Sequence, residues 1–187
     1  MTPKLLLYCT KAKPYLFKTP QCAEEVCKYY LYPNNQYLEN ESLNGKIVGE
    51  CDYEIEEIYS CPNYEDNEIF YLTTNCSYFN LLNESCLNET QLEDYLKGKK
   101  GYAIHIKNLK IYDKPRELSD YAYIVDKEHA TLITKAPQNM CYAYEFYDCF
   151  LKRNILISIH PEWLCKILNG EKTIECRKRI LKGMITK

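Results

Sequence analysis

The densest group of chemically capable side chains in the 187-residue chain lies near its C-terminal end. It runs Ser158-Ile-His160-Pro-Glu-Trp163 and then Gly170-Glu-Lys172-Thr-Ile-Glu175-Cys-Arg177. If residues 173–177 are extended, alternation puts Thr173, Glu175 and Arg177 on one face and turns Ile174 and Cys176 to the core. Lys172, at the turn after Gly170, can reach across to that face. Such a trio offers a carboxylate as base or acceptor, a lysine whose basicity burial would change, and a planar donor fork for a carbonyl or phosphate. The plainer reading of the same spacing is a same-face ion pair between Glu175 and Arg177, and spacing alone leaves both open.

The other reactive side chains are dispersed. His105, His129 and His160 are far apart, and no Cys/His group has zinc spacing, so no metal is expected. The eleven cysteines are odd in number and irregularly spaced, and they are read as reduced and mostly buried. Cys22 and Cys27 fit two buried positions of one helix, and Cys9 and Cys176 can face each other across neighbouring strands. Among the 19 tyrosines, Tyr8, Tyr102 and Tyr112 join Trp163 as candidates for stacking on a base, or else as core and rim aromatics.

Those residues need a scaffold, and the chain has the composition for one: 46% hydrophobic and 27% charged, as in an ordinary globular domain. No apolar run approaches the roughly 20 residues that span a bilayer, and nothing near Met1 reads as a secretory signal, so the expected compartment is the cytoplasm. Four Asn-x-Ser/Thr matches, at Asn40, Asn75, Asn83 and Asn88, are the argument for secretion instead. The net charge of −2 hides segregation: +3 over residues 1–38, −13 over 39–94, +2 over 95–151 and +6 over 152–187. The basic end suits a phosphate backbone, the acidic 39–94 stretch suits a basic protein partner, and the two can also neutralise each other.

Strand patterns fall at residues 4–9, at Lys46 to Ile58, at Tyr102 to Tyr112, around Met140 to Phe150, at Ile155 to Ile159 and at Thr173 to Arg177. In the second of these, Ile47, Gly49, Cys51, Tyr53 and Ile55 face inward and Glu50, Asp52, Glu54 and Glu56 face water. Asp113-Lys-Pro115 is expected to break the third. Helices are expected over 21–30, from a capping box Thr90-Gln-Leu-Glu93 to Gly98, and from Pro161 to Leu168 with Gly170 closing it. Residues 59–88 lack a period and read as a loop-rich acidic insertion. The result is one α+β domain over 1–187 whose sheet is largely antiparallel, with a barrel or half-barrel as its expected form.

The segment Pro161-Glu-Trp-Leu-Cys-Lys-Ile-Leu-Asn-Gly-Glu-Lys-Thr-Ile-Glu-Cys-Arg177 resembles the signature of the ASCH domain family, a PUA-like β-barrel group linked to RNA and modified nucleosides. Leu7-Tyr-Cys-Thr-Lys11, Leu43-Asn-Gly-Lys-Ile-Val-Gly-Glu50 and the stretch from Gly101 to Pro115 resemble its other blocks, so about half the chain is covered. The blocks come in a rotated order, which implies a circularly permuted domain whose signature strand–helix–strand unit is 155–187. Permutation implies that 172–180 lies beside 4–10. The resemblance, closest to phage-like members, implies a cavity floored by Lys172, Glu175 and Arg177. Tyr8, Thr10, Lys11, Ser158, His160 and Trp163 would flank it, and it would bind RNA, a nucleotide or a modified nucleoside without a cofactor. Some family members resemble amidohydrolases acting on N4-acetylcytidine, where a lysine works with a threonine three residues later. Lys172 matches that lysine, but Glu175 stands at the threonine position, so hydrolysis would require the carboxylate to act as base or nucleophile. A third alternative is an acidic decoy or interaction protein from a mobile element.

Overall fold

The structure is a computed structural model and describes residues 3–10, 45–62, 69–125, 129–147 and 150–185. The expected helix over 21–30, Lys11, Cys22, Cys27 and Cys149 lie outside the described residues. Among the described residues the fold is mixed α+β, rich in mostly antiparallel strands, with three short α-helices. The chain, read above as one domain, divides into two compact units: 1–52 with 108–169, and 53–107 with 170–187. Two long strands, β2 (Ile47–Pro62) and β4 (Gly101–Arg116), contribute to both.

The first unit is built on β1 (Leu5–Cys9), every residue of which is buried. Its parallel neighbour is β8 (Phe150–Ile159), in the register Leu5 to Ile155 through Cys9 to Ile159. Strands covered on both faces read as continuous apolar runs, which is the pattern of both segments. On its other side β1 pairs antiparallel with β2, where Val48 is an extra residue between Leu7–Gly49 and Tyr8–Ile47, a bulge. Beyond β8 come β7 (Met140–Tyr147), β5 (Ala122–Ile124) and β6 (Ala130–Leu132), all antiparallel. Helix α3 (Pro161–Leu168) starts with proline at its first turn and ends before Gly170 at φ 77°, as the sequence implies. The core of this unit gathers Leu6, Tyr8, Ile47, Tyr112, Tyr121, Ile133, Ala143 and Leu156.

The second unit has β3 (Ile69–Thr73) on β2 and β9 (Ile174–Arg177) antiparallel to β4. Helices α1 (Tyr78–Ser85) and α2 (Glu89–Leu96) bring Leu81, Leu92 and Leu96 onto Ile58, Tyr71, Ala103, Ile174 and Cys176.

Several expectations change. Residues 59–88 hold the end of β2, all of β3 and α1, because Ser77 caps α1 through Asn80 N–H at 3.1 Å and Tyr71 and Leu81 are fully buried. The capping box of α2 is Asn88 with Gln91, two residues before the expected one; starting there buries Leu92 and Leu96, four apart on one face. β4 does not break at Pro115 but runs to Arg116, since a proline is tolerated where no ladder N–H is required. Finally, β9 pairs with β4, whereas β1 pairs with β2 and β8, so Cys9 and Cys176 are not on neighbouring strands and 172–180 gains no pairing with 4–10.

Candidate functional site

The residues expected to form one cavity fall in both units: Tyr8, Thr10, Ser158, His160 and Trp163 in the first, Lys172, Glu175 and Arg177 in the second.

In the second unit the trio does converge. Strand alternation sends Ile174 and Cys176 into the core and leaves Glu175 and Arg177 on the opposite face, where Arg177 Nε lies 3.0 Å from Glu175 Oε1. Lys172 Nζ reaches Glu175 Oε2 at 3.4 Å and also donates to the Ser85 carbonyl at 2.6 Å. That carbonyl ends α1, so the lysine satisfies one of the acceptors a helix leaves open at its C-terminus. Thr173 continues the attachment: its N–H donates to Glu84 O at 2.9 Å and its hydroxyl to Glu84 Oε2 at 3.1 Å. Lys172 is 3% and Glu175 8% exposed, so the trio is a buried charge cluster that ties the β9 approach to α1. Beside it Cys176 has its thiol pushed up to about 12 by burial, ahead of the neighbouring charges, which makes it a core residue rather than a nucleophile.

A second polar pair in this unit was not foreseen. Glu56, expected to face water, is 4% exposed. Its Oε1 lies 2.6 Å from His105 Nε2, and its Oε2 accepts the Asn75 N–H at 2.8 Å. Burial, the largest influence, pushes the carboxyl up. Hydrogen bonds from His105, the Asn75 backbone and Cys76 outweigh it and hold Glu56 below the ordinary carboxylate range. Among the described residues no group of three His, Cys, Asp or Glu is arranged to hold a metal ion.

In the first unit Tyr8 and Thr10 line a cleft of about 610 Å³. Its walls are the turn Glu117-Leu118-Ser119 and the segment Ile133–Ala136, with Gly45 beside them. Lys46 is ion-paired to Glu117. The strand end is held by Cys9 N–H on Lys46 O at 2.9 Å and Thr10 N–H on Ile159 O at 3.0 Å. Burial, then the neighbouring Cys9, push the Tyr8 phenol up, so it stays a neutral donor at physiological pH. The lining therefore combines an apolar floor of Tyr8, Ile133 and Leu118 with the hydroxyls of Thr10, Ser119 and Thr134 and the charges of Glu117 and Lys135.

The remaining expected residues do other work. Ser158 donates its hydroxyl to Pro137 O at 2.6 Å and its N–H to Asn139 O at 2.9 Å, which anchors the loop after the cleft wall. His160 is the N-cap residue of α3, and its carbonyl accepts the Leu164 N–H. Trp163 carries Lys166 Nζ 4.7 Å from its ring centroid. The cleft residues Ser119, Thr134 and Lys135 belong to turns without a periodic signal, so the sequence points only to Tyr8 on β1 and Thr10 just after it. No helix among the described residues is long and apolar enough to cross a membrane. No family model, curated protein or solved structure matches the chain.

Proposed function

We propose that this protein is a divergent ASCH-type domain that binds a nucleoside or nucleotide, and that the cleft at Tyr8 and Thr10 receives it. The observation that carries the reading is the cleft's size and lining. At about 610 Å³ it falls within the range of pockets that enclose small ligands, and it has the usual make-up of an apolar floor with a few convergent polar groups. Tyr8 supplies an aromatic surface at its floor, and Thr10, Ser119 and Thr134 supply hydroxyls of the kind that read a base edge or a sugar.

Binding is favoured over hydrolysis by the surroundings of Lys172. In the amidohydrolase reading this lysine stabilises developing charge on substrate, yet here its ammonium is already engaged by the Ser85 carbonyl at 2.6 Å and the Glu175 carboxylate at 3.4 Å. Titration calorimetry with cytidine, N4-acetylcytidine and the matching 5′-monophosphates tests the reading. Saturable one-to-one binding is expected, at least tenfold weaker in Thr134→Trp, whose exposed position lets the indole fill the cleft without disturbing the core. No binding by any of these compounds at millimolar concentration sinks the proposal. Acetate release from N4-acetylcytidine that disappears in a folded Lys172→Ala variant replaces it with the hydrolase.

A further inference from the structure

The antiparallel pairing of β4 with β9 places Tyr102 opposite Arg177, so the residues leading into β4 run beside those leaving β9. The first of these segments, 95–102, contains Lys97, Lys99 and Lys100 and no acid. The second, 176–185, contains Arg177, Lys178, Arg179 and Lys182, again with no acid. Counting the flanking Glu93, Asp94 and Glu175 as well, the two stretches together still carry a net charge of +4, in a chain whose total is −2. The side chains of Lys97, Lys99, Lys100, Lys178, Arg179 and Lys182 are exposed.

Rings are interleaved with these cations. Lys178 Nζ lies 4.8 Å from the ring centroid of Tyr95, which is 37% exposed, and Lys100 Nζ lies 5.8 Å from that of Tyr102. Acids reach two members of the group: Glu57 lies 3.6 Å from Lys100, and Glu175 lies 3.0 Å from Arg177 Nε. Gly101 permits the close passage of the two strands, since a Cβ there would lie 3.2 Å from the Arg177 carbonyl and 2.6 Å from a Leu96 methyl.

We infer that this face of the second unit is a docking surface for single-stranded nucleic acid, with its cations on the phosphates and Tyr95 and Tyr102 beneath the bases. A charged face alone would suit any polyanion. Cations alternating with accessible tyrosine rings fit a ligand that has both a phosphate repeat and flat bases, the combination by which single strands are held without regard to sequence. None of these residues lines the proposed nucleoside cleft, whose lining residues all belong to the first unit.

The test is fluorescence anisotropy of a labelled 15-nucleotide oligouridine with the full chain, from 50 to 500 mM NaCl. Binding of about 1–100 μM at low salt is expected, weakening with salt at a logarithmic slope of about −3, as about four phosphate contacts require. The double charge reversal Lys100→Glu with Lys178→Glu should weaken binding at least tenfold and leave nucleoside binding in the cleft unchanged. Tyr95→Leu should weaken it about fivefold or more with the salt slope preserved, the mark of a lost stack rather than a lost charge. Absence of binding at 50 mM NaCl overturns the inference. So does full activity of Tyr95→Leu, or equal competition by polyglutamate, which would make this an acidic-peptide surface. Loss of cleft binding alone would leave the inference standing.

Discussion

Glu54 and Glu56 sit two residues apart on β2 and carry the same group in opposite circumstances. Glu54 is exposed and pairs with Lys107 at 2.6 Å, an arrangement in which solvent screening leaves little net stabilisation. Glu56 is buried, and its hydrogen bonds to His105 and the Asn75 N–H hold its carboxyl below the unfolded value of 4.5. The unfolded chain therefore binds a proton that the folded chain resists. The contribution of Glu56 to stability is complete above about pH 4.5 and is lost as pH falls through the lower, folded value. Urea denaturation between pH 3 and 7 should show wild-type stability falling on the acid side more steeply than that of Glu56→Gln. At neutral pH the same substitution should cost about 1–3 kcal/mol, because it weakens a buried, charge-assisted bond. Glu54→Gln should follow the wild-type curve throughout. A Glu56→Gln profile parallel to wild type would mean that the His105 contact contributes nothing to the pH dependence.

At the scale of elements, β2 explains why Glu56 was misplaced in the sequence reading. Apart from the bulge residue Val48, which is also buried, its buried positions are Ile47, Gly49 and Cys51 at one end but Glu56 and Ile58 at the other, a change from odd to even. A one-residue slip turns every later side chain to the opposite face. Asn108 of β4 lies in the region of the change, at the left-handed φ of 49° and donating its side-chain amide to Asp52 at 2.9 Å. The same close pairing constrains Gly49, where a Cβ would lie 2.6 Å from the Lys110 carbonyl oxygen, a backbone atom that cannot step aside. Gly170 contrasts with it: nothing lies within 4 Å of an added Cβ, and only its φ of 77° opposes substitution. Gly49→Ala should therefore lower stability by about 1–3 kcal/mol or more, and Gly170→Ala by about 1 kcal/mol, read from denaturant midpoints at unchanged slope. The reverse order would show that β2 and β4 can separate at little cost. The elements that were legible carry local signals: the double-sided apolar runs of β1 and β8, Pro161 and Gly170 around α3, and the short alternation of β9. Lys172, Glu175 and Arg177 were legible for the same reason, being neighbours on one turn and one strand. Ser85, the Lys172 partner, lies 87 residues away and no spacing rule reaches it. β5 and β6, of three residues each, are strands only because they have partners.

For the whole molecule, the acids of β2 behave differently from a free negative surface. Each acid on β2 has a basic partner on, or just before, a neighbouring strand: Glu50 with Lys110, Asp52 with Lys4, Glu54 with Lys107, Glu56 with His105 and Glu57 with Lys100. Paired in this way, the strand offers no continuous acidic row to a basic partner. A ligand that binds only the folded chain must stabilise it by mass action, by about 2.7 kcal/mol at one hundred times its Kd. For a chain of this length that corresponds to a rise in Tm of about 5–10 °C. Thermal scans with increasing nucleoside should show this rise in the wild type and none in Thr134→Trp, while the two unliganded proteins melt within a degree or two of each other. An equal rise in both would place the ligand somewhere other than the cleft. A flat response in the wild type, at concentrations where calorimetry detects binding, would mean that the unfolded chain binds the compound as well, and the cleft would then explain none of the affinity.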